Sequence, residues 1–114
     1  MERATHFYQA LITSVHDGDT FHCTIKLELG LSLDLTCRMY GINAPEIHGD
    51  SKEAGLVSTE WLRKAIDTKT VVLDLSHGRE KYGRSLAVVW LDDRNINQEM
   101  VDLNLAIEYM LDKT

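Results

Sequence analysis

Two runs in which apolar and polar residues alternate, one on each side of Gly30, limit the fold of this chain more than any other feature. The apolar side chains take the odd-numbered positions: Phe21, Cys23, Ile25, Leu27 and Leu29 before the glycine, and Leu31, Leu33, Leu35, Cys37 and Met39 after it. A period of two is typical of a strand with one face in the core. With Gly30 as the turn, the two runs predict one long antiparallel hairpin.

The register of this hairpin can be predicted from the same pattern. Setting Cys23 directly across from Cys37 places apolar residues opposite apolar residues, whereas a slip of one residue would turn charged side chains toward the core. A disulfide between directly opposed strand residues is usually strained, so we expect two free, buried thiols. Their spacing in the sequence is also far from a CxxC zinc motif.

The rest of the chain adds further strands and two helices. Three more strands are predicted over residues 7–15, 70–75 and 85–91. Candidate core positions in the first two are Leu11, Ile12, Val15, Val71 and Leu73.

The first helix is predicted to begin at Asp50, with Glu53 as its capping-box partner, and to end near Asp67. Its apolar face is formed by residues at spacings of three and four: Ala54, Val57, Trp61, Leu62 and Ala65. Asn95 with Gln98 predicts the cap of a second, short helix that runs to residue 103. About five strands and two helices indicate a small barrel-like α+β domain that is mainly β.

Length and charge restrict the functions that such a domain can have. With 114 residues the chain fits a single domain, residues 1–114. A formal net charge of -6 argues against a protein that grips nucleic acid statically, but less against an enzyme that touches it briefly. No apolar run approaches the roughly 20 residues of a membrane span, and no secretion signal is visible. We therefore expect no membrane contact and a cytoplasmic location.

The acidic turn formed by Asp17, Gly18 and Asp19 lies between the first strand and the hairpin. Arg38, the segment 41–46 and the segment 81–84 follow it with residue types that suit attack on a phosphodiester: a carboxylate that can hold a metal, a second carboxylate and two arginines. Asp19 shares odd numbering with the apolar face and Arg38 lies on the polar one. Periodicity therefore brings the two together only if the strand bends at its start.

These motifs together resemble those of the staphylococcal nuclease family. Asp17-Gly18-Asp19-Thr20 is similar to its metal-site turn, Arg38 with residues 40–46 to its arginine, metal-loop and glutamate segment, and Lys81-Tyr82-Gly83-Arg84 to its second arginine motif. The similarity extends from about residue 15 to residue 106. It implies a five-stranded OB-fold barrel with one long and one short helix, and calcium-dependent hydrolysis of DNA or RNA.

The resemblance also implies a metal site. Asp19 would be a ligand together with the backbone carbonyl of Ala44, and Asp17 would either bind the metal or only shape the turn. Asn43 stands where many relatives have a second aspartate, so it is either a weaker ligand or a structural loop residue. Calcium is the expected ion, with magnesium as the alternative.

The remaining roles concern the substrate. By the same resemblance, Glu46 would activate the attacking water, and Arg38 and Arg84 would hold the phosphate and neutralise the charge that builds on it. Lys81 and Tyr82 would line the nucleotide site. Taken without the other motifs, Arg38 would be a solvated strand arginine and Arg84 a loop arginine that pairs with Glu80. Preference for DNA or RNA stays open.

Two rivals to a nuclease are a catalytically inactive domain of the same kind, which binds nucleic acid or a protein, and a structural OB module. Asn43 and the negative charge favour the former; the retained set of Asp19, Arg38, Glu46 and Arg84 argues against both. Compact relatives are common in phages, which would place the protein in a host cytoplasm. The chain stops short of the family's longer C-terminal helix, and a homodimer is one way to cover the surface which that helix would bury.

Overall fold

Five strands close into a barrel whose ends carry the two helices. The computed structural model describes residues 6–109. The strands are β1 (Phe7–Asp17), β2 (Thr20–Lys26), β3 (Ser32–Met39), β4 (Ile42–Asn43), β5 (Thr70–Asp74), β6 (Ser85–Leu91), β7 (Arg94–Asn95) and β8 (Ile107–Glu108). The helices are α1 (Lys52–Ile66) and α2 (Ile96–Asp102).

The order of the strands confirms the predicted OB-fold barrel. The main sheet runs β3-β2-β1-β5-β6-β7, and a parallel pairing of β3 with β6 closes it. That closing contact joins Cys37, Arg38 and Met39 to Ser85, Leu86 and Ala87. Closure leaves Arg38 and the start of β6 side by side. β4 and β8 form a separate two-stranded ribbon.

One continuous core fills the barrel. Its fully buried large side chains include Phe21, Ile12, Met39, Leu62, Ile66, Leu73, Ile96 and Met100. Phe21 and Met39 lie on the inward face of the two alternating strands, as predicted. Val71 and Leu73 are buried as expected, whereas Leu11 is 45% exposed and Ala10 takes its place in the core. No helix among residues 6–109 is long and apolar enough to cross a membrane.

The predicted hairpin exists, but the register predicted for it differs from the observed register by two residues. Cys23 pairs with Leu35, and Cys37 pairs with Phe21. The turn spans Glu28 to Gly30, and Gly30 takes its last position with φ 78° rather than its centre. Because the shift is an even number of residues, the same side chains still face the core.

The two thiols are free and buried, as predicted. They lie diagonally rather than directly across the hairpin, with their Sγ atoms 3.9 Å apart. The hydrogen bond with Cys23, together with burial, raises the pKa of the Cys37 thiol. This thiol therefore stays protonated at neutral pH.

The first helix differs from its prediction in its cap and in its buried face. It starts at Lys52 after a short 3₁₀ turn, and Ser51, not Asp50, is its N-cap residue. The buried residues are Gly55, Ser58, Thr59, Leu62 and Ile66. Val57 is 59% exposed, Ala54 is exposed, and Trp61 and Ala65 are only partly buried. The helix packs its first half through small side chains, which an apolar pattern does not report.

The second helix begins as predicted, since the Asn95 side chain accepts a hydrogen bond from the Gln98 N–H at 3.0 Å. Inside it, Asn97 is buried and ties the helix to the barrel. Its side chain accepts from the Val89 N–H and donates to the carbonyls of Tyr40 and Ala87. The strand β8 over residues 107–108 was not predicted.

Candidate active site

The turn between β1 and β2 folds tightly against the rest of the domain. The Asp19 N–H donates to Asp17 Oδ1 at 3.1 Å, an arrangement that stabilises short turns. A Cβ atom at Gly18 would lie 2.7 Å from the Cβ of Ala44 and 2.9 Å from the Cβ of Ser58. Only glycine lets this turn approach both the 41–46 loop and α1 so closely.

The position of Asp19 in the turn resolves the parity problem between Asp19 and Arg38. β1 ends at Asp17 and β2 begins at Thr20, so Asp19 lies outside both strands and their alternation does not set the direction of its side chain. The Asp19 carbonyl accepts the Met39 N–H at 2.8 Å. Arg38 Nη1 lies 3.5 Å from Asp19 Oδ2.

Asp19 is the centre of the cluster, and it is 9% exposed. Its Oδ2 accepts the Ala44 N–H at 2.9 Å, and its Oδ1 accepts the Thr20 hydroxyl at 3.2 Å. Burial raises the pKa of the Asp19 carboxyl, and the nearby Asp17 raises it further. The Ala44 N–H and Arg38 act in the opposite direction. An additional cation at this position would therefore be well placed to stabilise the carboxylate.

The Arg38 guanidinium is held from several sides. Its Nη1 donates to the carbonyls of Met39 and Ile42, at 3.1 and 3.0 Å, and its Nη2 donates to Asn43 Oδ1 at 3.2 Å. The guanidinium carbon also lies 5.9 Å from the centre of the Tyr109 ring. These contacts orient the side chain beside Asp19, and Asn43 acts here as an acceptor for Arg38.

Glu80 positions Arg84. Its Oε2 accepts the Arg84 side-chain Nε at 2.7 Å and the Arg84 backbone N–H at 3.0 Å, and its Oε1 accepts the Tyr82 N–H at 3.1 Å. The hydrogen bond that the Arg84 side chain donates to Glu80 raises the pKa of Arg84, so this side chain stays charged. The Arg84 Nη1 lies 3.4 Å from the Thr20 hydroxyl. Thr20 therefore links Arg84 to Asp19.

The other predicted site residues lie on the rim. Glu46 is exposed, and within residues 6–109 its carboxylate has no hydrogen bond or ion pair with Asp19, Arg38 or Arg84. Lys81 and Tyr82 lie on the loop before Arg84, with the Lys81 Nζ 5.4 Å above the Tyr82 ring. Tyr82 is 75% exposed. The structure thus brings Asp19, Arg38, Asn43, Ala44 and Arg84 together and leaves the other three on neighbouring loops.

One residue of this cluster, Thr20, was given no role from the sequence, although it bridges Asp19 and Arg84. The available signal for it was its position immediately after Asp19, at the first residue of the hairpin strand. Glu80 pairs with Arg84, as the sequence allowed. The sequence did not indicate that this pair lies in a loop that brings Arg84 to Thr20.

The two carboxylates at the turn are of the ligand type that a hard divalent cation prefers. Asp17 and Asp19 lie in contact, whereas the 41–46 loop presents the Ala44 N–H to Asp19, and the Asn43 Oδ1 accepts from Arg38. In the part of the chain that the structure describes, no three His, Cys, Asp or Glu side chains converge in a metal-binding arrangement. Any cation would therefore depend on carbonyl oxygens and water for most of its ligands.

The closed barrel and its cluster of acids and arginines define an OB-fold domain with a charged site beside the point where β3 meets β6. The family model described as "Staphylococcal nuclease homologue" matches residues 36–114. The chain therefore belongs to the staphylococcal nuclease family. The matched segment contains Arg38, Glu46 and Arg84 and starts after the turn that carries Asp19.

Curated relatives of this chain include two uncharacterised proteins. An "Uncharacterized endonuclease" of Haemophilus influenzae is 34% identical over 98 residues, which cover 86% of this chain and 51% of the relative. An uncharacterised protein of Methanocaldococcus jannaschii is 25% identical, over 92% of this chain and 60% of the relative. This chain thus spans between half and two thirds of the length of these relatives.

Proposed function

We propose that this domain is a metal-dependent nuclease that hydrolyses phosphodiester bonds of DNA or RNA, with calcium as the expected ion. One observation carries the proposal: two arginines from distant parts of the chain converge on one buried aspartate. Arg38 lies beside Asp19 directly, and Arg84 reaches it through Thr20. Family membership and the printed name of the Haemophilus relative support the same class of activity.

In this proposal the two arginines bind the phosphate that is attacked. A planar guanidinium can contact two phosphate oxygens at once and keeps its charge at all accessible pH values. Arg84 is the more accessible of the two arginines, since its side chain is 34% exposed. Glu80 binds its Nε, and the other edge of the guanidinium faces the turn. Arg38 is already oriented by three acceptors, so it loses little freedom on binding.

Glu46 is the general base of the proposed reaction. Its exposed carboxylate lies on the loop that Ala44 attaches to Asp19, and it would accept the proton of the attacking water. A divalent cation held by Asp19, with Asp17 and the Asn43 and Ala44 oxygens as further donors, supplies polarisation of a phosphoryl oxygen when bound. Lys81 and Tyr82 would contact the nucleotide beside the phosphate.

Cleavage of single-stranded DNA and RNA in calcium, magnesium or EDTA tests this proposal. The Arg84→Ala variant should lose about 10²–10³ in rate, since it removes a preorganised donor to the developing charge. Arg94→Ala is the matched control: Arg94 also pairs with a glutamate, Glu99, but it is the first residue of β7 and has no contact with Asp19 or Thr20 among the described residues. Loss of activity in both variants, or in neither, would contradict the assignment of Arg84.

A second candidate is a domain that binds nucleic acid without cutting it. The specific observation in its favour is that three of the five N–H donors of Arg38 already bind Met39, Ile42 and Asn43 within the protein, which leaves fewer donors for a phosphate. This candidate predicts measurable binding of single strands and no cleavage in calcium, in magnesium or in EDTA. It also predicts that binding falls in Arg84→Ala and not in Arg94→Ala.

A further inference from the structure

The far end of the β2–β3 hairpin exposes a row of leucines. Leu27, Leu29, Leu31 and Leu33 are 40%, 95%, 60% and 48% exposed. Contiguous apolar patches on a protein surface mark interaction sites more often than isolated exposed side chains do. The patch lies at the opposite end of the hairpin from Asp19, because Thr20 and Arg38 pair at one end of β2–β3 and Lys26 and Ser32 at the other. It is therefore separate from the candidate active site.

The same end of the hairpin also has an open strand edge. β3 pairs with β6 only over residues 37–39. Over residues 32–36, β3 has a strand on its β2 side and, within residues 6–109, none on its outer side. An open edge of this kind offers its backbone N–H and C=O groups to another strand.

We infer that a second copy of this chain binds here, with the two β3 strands antiparallel and the two-fold axis at Leu33. In this register Leu33 faces Leu33 of the second copy, and Leu31 faces its Leu35. All three leucines on one face of the open edge then meet leucines. The core-facing side of one barrel continues across the axis into that of the other, which buries the patch.

The polar face of the edge fits the same register. Asp34 lies opposite Ser32 of the second copy, and the β2 residue next to that serine is Lys26. The lysine can reach Asp34 across the small serine, and symmetry repeats this pair on the other side of the axis. A shift of the axis to Asp34 would instead set two like charges face to face, which is destabilising. The charges thus favour self-association in one register.

A groove at the mouth of the barrel would receive the side chains of the second copy. It has a volume of about 410 Å³, and its apolar wall is formed by Tyr8, Leu33, Leu35 and Leu75. Leu31 of the second copy lies next to Leu35 in this register, on the face that opens into the groove. A strand from the same chain type therefore matches both the edge and the cavity beside it.

Sedimentation equilibrium of the wild-type chain and two variants tests this inference. Leu33→Asp puts like charges on the two-fold axis, whereas Leu56→Asp makes the same change at an equally exposed leucine, also 48%, on α1. We expect a wild-type dimer, an at least tenfold weaker dimer for Leu33→Asp, and wild-type behaviour for Leu56→Asp. At about 100 µM a specific interface should be occupied. A wild-type chain that is still monomeric at this concentration would overturn the inference.

Cross-linking tests the register even if Leu33→Asp does not fold. Leu33→Cys places two thiols close together on the axis, so a short thiol-reactive cross-linker should give a covalent dimer without the strained geometry of a direct disulfide. Leu56→Cys should stay monomeric on a denaturing gel under the same conditions. Failure of Leu33→Cys to cross-link, or equal cross-linking of both variants, would overturn this mode of association.

Discussion

Asp19 shows at the scale of single residues what the sequence predicts and what it leaves open. The acidic turn, Arg38 and Arg84 could be selected from residue types and order alone. Their convergence could not, because the alternating pattern puts Asp19 and Arg38 on opposite faces of the hairpin. Asp19 lies in the turn before β2, where the alternation of the strand no longer applies, and its side chain contacts Arg38 there. The pattern of apolar residues carries no signature of this contact.

Asn97 is a residue whose loss should destabilise the fold strongly. Its buried side chain makes three hydrogen bonds to backbone groups of Val89, Tyr40 and Ala87. Asn97→Ala leaves those groups without a partner, so we expect a loss of about 2–4 kcal/mol in the free energy of unfolding. Urea denaturation measures this. Gln98→Ala, at the exposed next position, should stay within about 0.5 kcal/mol of the wild type.

Glu80 should make stability depend on pH. The hydrogen bond from the Arg84 side chain lowers the pKa of the Glu80 carboxyl from its ordinary 4.5, and the backbone N–H groups of Arg84 and Tyr82 contribute. A carboxyl whose pKa is lower in the folded state than in the unfolded state stabilises the fold at pH values above the unfolded-state pKa. This contribution is lost as the pH falls through the folded-state pKa. The Tm difference between wild type and Glu80→Gln should therefore be full at pH 7 and shrink below about pH 4.3.

The control for this measurement is Glu60→Gln. Glu60 also pairs with an arginine, Arg63, but both side chains are largely exposed, and exposed ion pairs contribute little. Its Tm difference should be near zero at every pH. A Glu80→Gln variant as stable as the wild type at pH 7, or a Tm difference that does not change with pH, would contradict the role given to Glu80.

At the scale of elements, the small residues of α1 explain why the buried face of this helix was predicted wrongly. Its buried side near the site consists of Gly55, Ser58 and Thr59, which no hydrophobic pattern identifies. Ser58 donates to the Leu105 carbonyl at 2.6 Å, and Thr59 donates to the Gly55 carbonyl at 2.8 Å, so their hydroxyls are satisfied inside. Close approach to the Gly18 turn and the Glu46 loop requires small residues there, and Val57 is turned outward as a consequence.

Gly55→Ala should reverse the usual effect of this substitution. In an ordinary helix interior alanine is more stable than glycine by about 0.5–1 kcal/mol. Here a Cβ atom would press on the Glu46 carbonyl oxygen and lie 2.7 Å from its carbonyl carbon. We expect a destabilisation of about 1–3 kcal/mol, together with slower cleavage because the Glu46 loop must move.

Urea denaturation and a cleavage assay on the same samples check this expectation. Val57→Ala, at an exposed position of the same helix, serves as the control and should stay within about 0.5 kcal/mol of the wild type. A Gly55→Ala variant that is more stable than the wild type and cuts at the same rate would show that the packing of α1 against the loop does not matter.

The hairpin shows how a pattern can predict one property and miss another. Alternation determined which side chains face the core, and that prediction is confirmed. It could not distinguish pairings that differ by two residues, because both keep the same faces. The choice depends on the turn, where Leu29 and Gly30 both take positive φ values and the glycine is last in the loop. The conformation of three residues therefore sets the partner of every residue in two strands.

For the whole molecule, the small number of cations at the candidate site predicts a weak dependence of substrate binding on salt, because the slope follows the number of phosphates that cations neutralise. If Arg38, Arg84 and Lys81 are the cations that contact phosphate, the slope of log K against log salt for a single strand should be about -2. Fluorescence anisotropy of a labelled oligonucleotide in EDTA measures it. A slope steeper than about -4 would mean that other basic side chains bind the strand.

The overall architecture was the most predictable property of the chain. The five strands of the barrel, its closure, the two helices and the free thiols follow from periodicity, from caps and from the resemblance of three motifs in order, whereas the two-residue strands β4, β7 and β8 do not. Packing details such as the exposed Leu11 and the leucine-rich tip of the hairpin did not follow, because an apolar side chain is buried only if another element covers it. The structure describes no such cover for the tip within residues 6–109.

The proposal that this domain cuts nucleic acid with Glu46 as its base is tested most directly by Glu46→Gln. Single-turnover cleavage of a labelled single strand in calcium, with the Kd of the same strand measured in parallel, separates chemistry from binding. We predict that the rate falls by about 10²–10⁴ while the Kd changes less than threefold or so. Equal cleavage rates for Glu46→Gln and the wild type would contradict the role of Glu46, and a wild-type chain that binds but never cuts would contradict the nuclease itself.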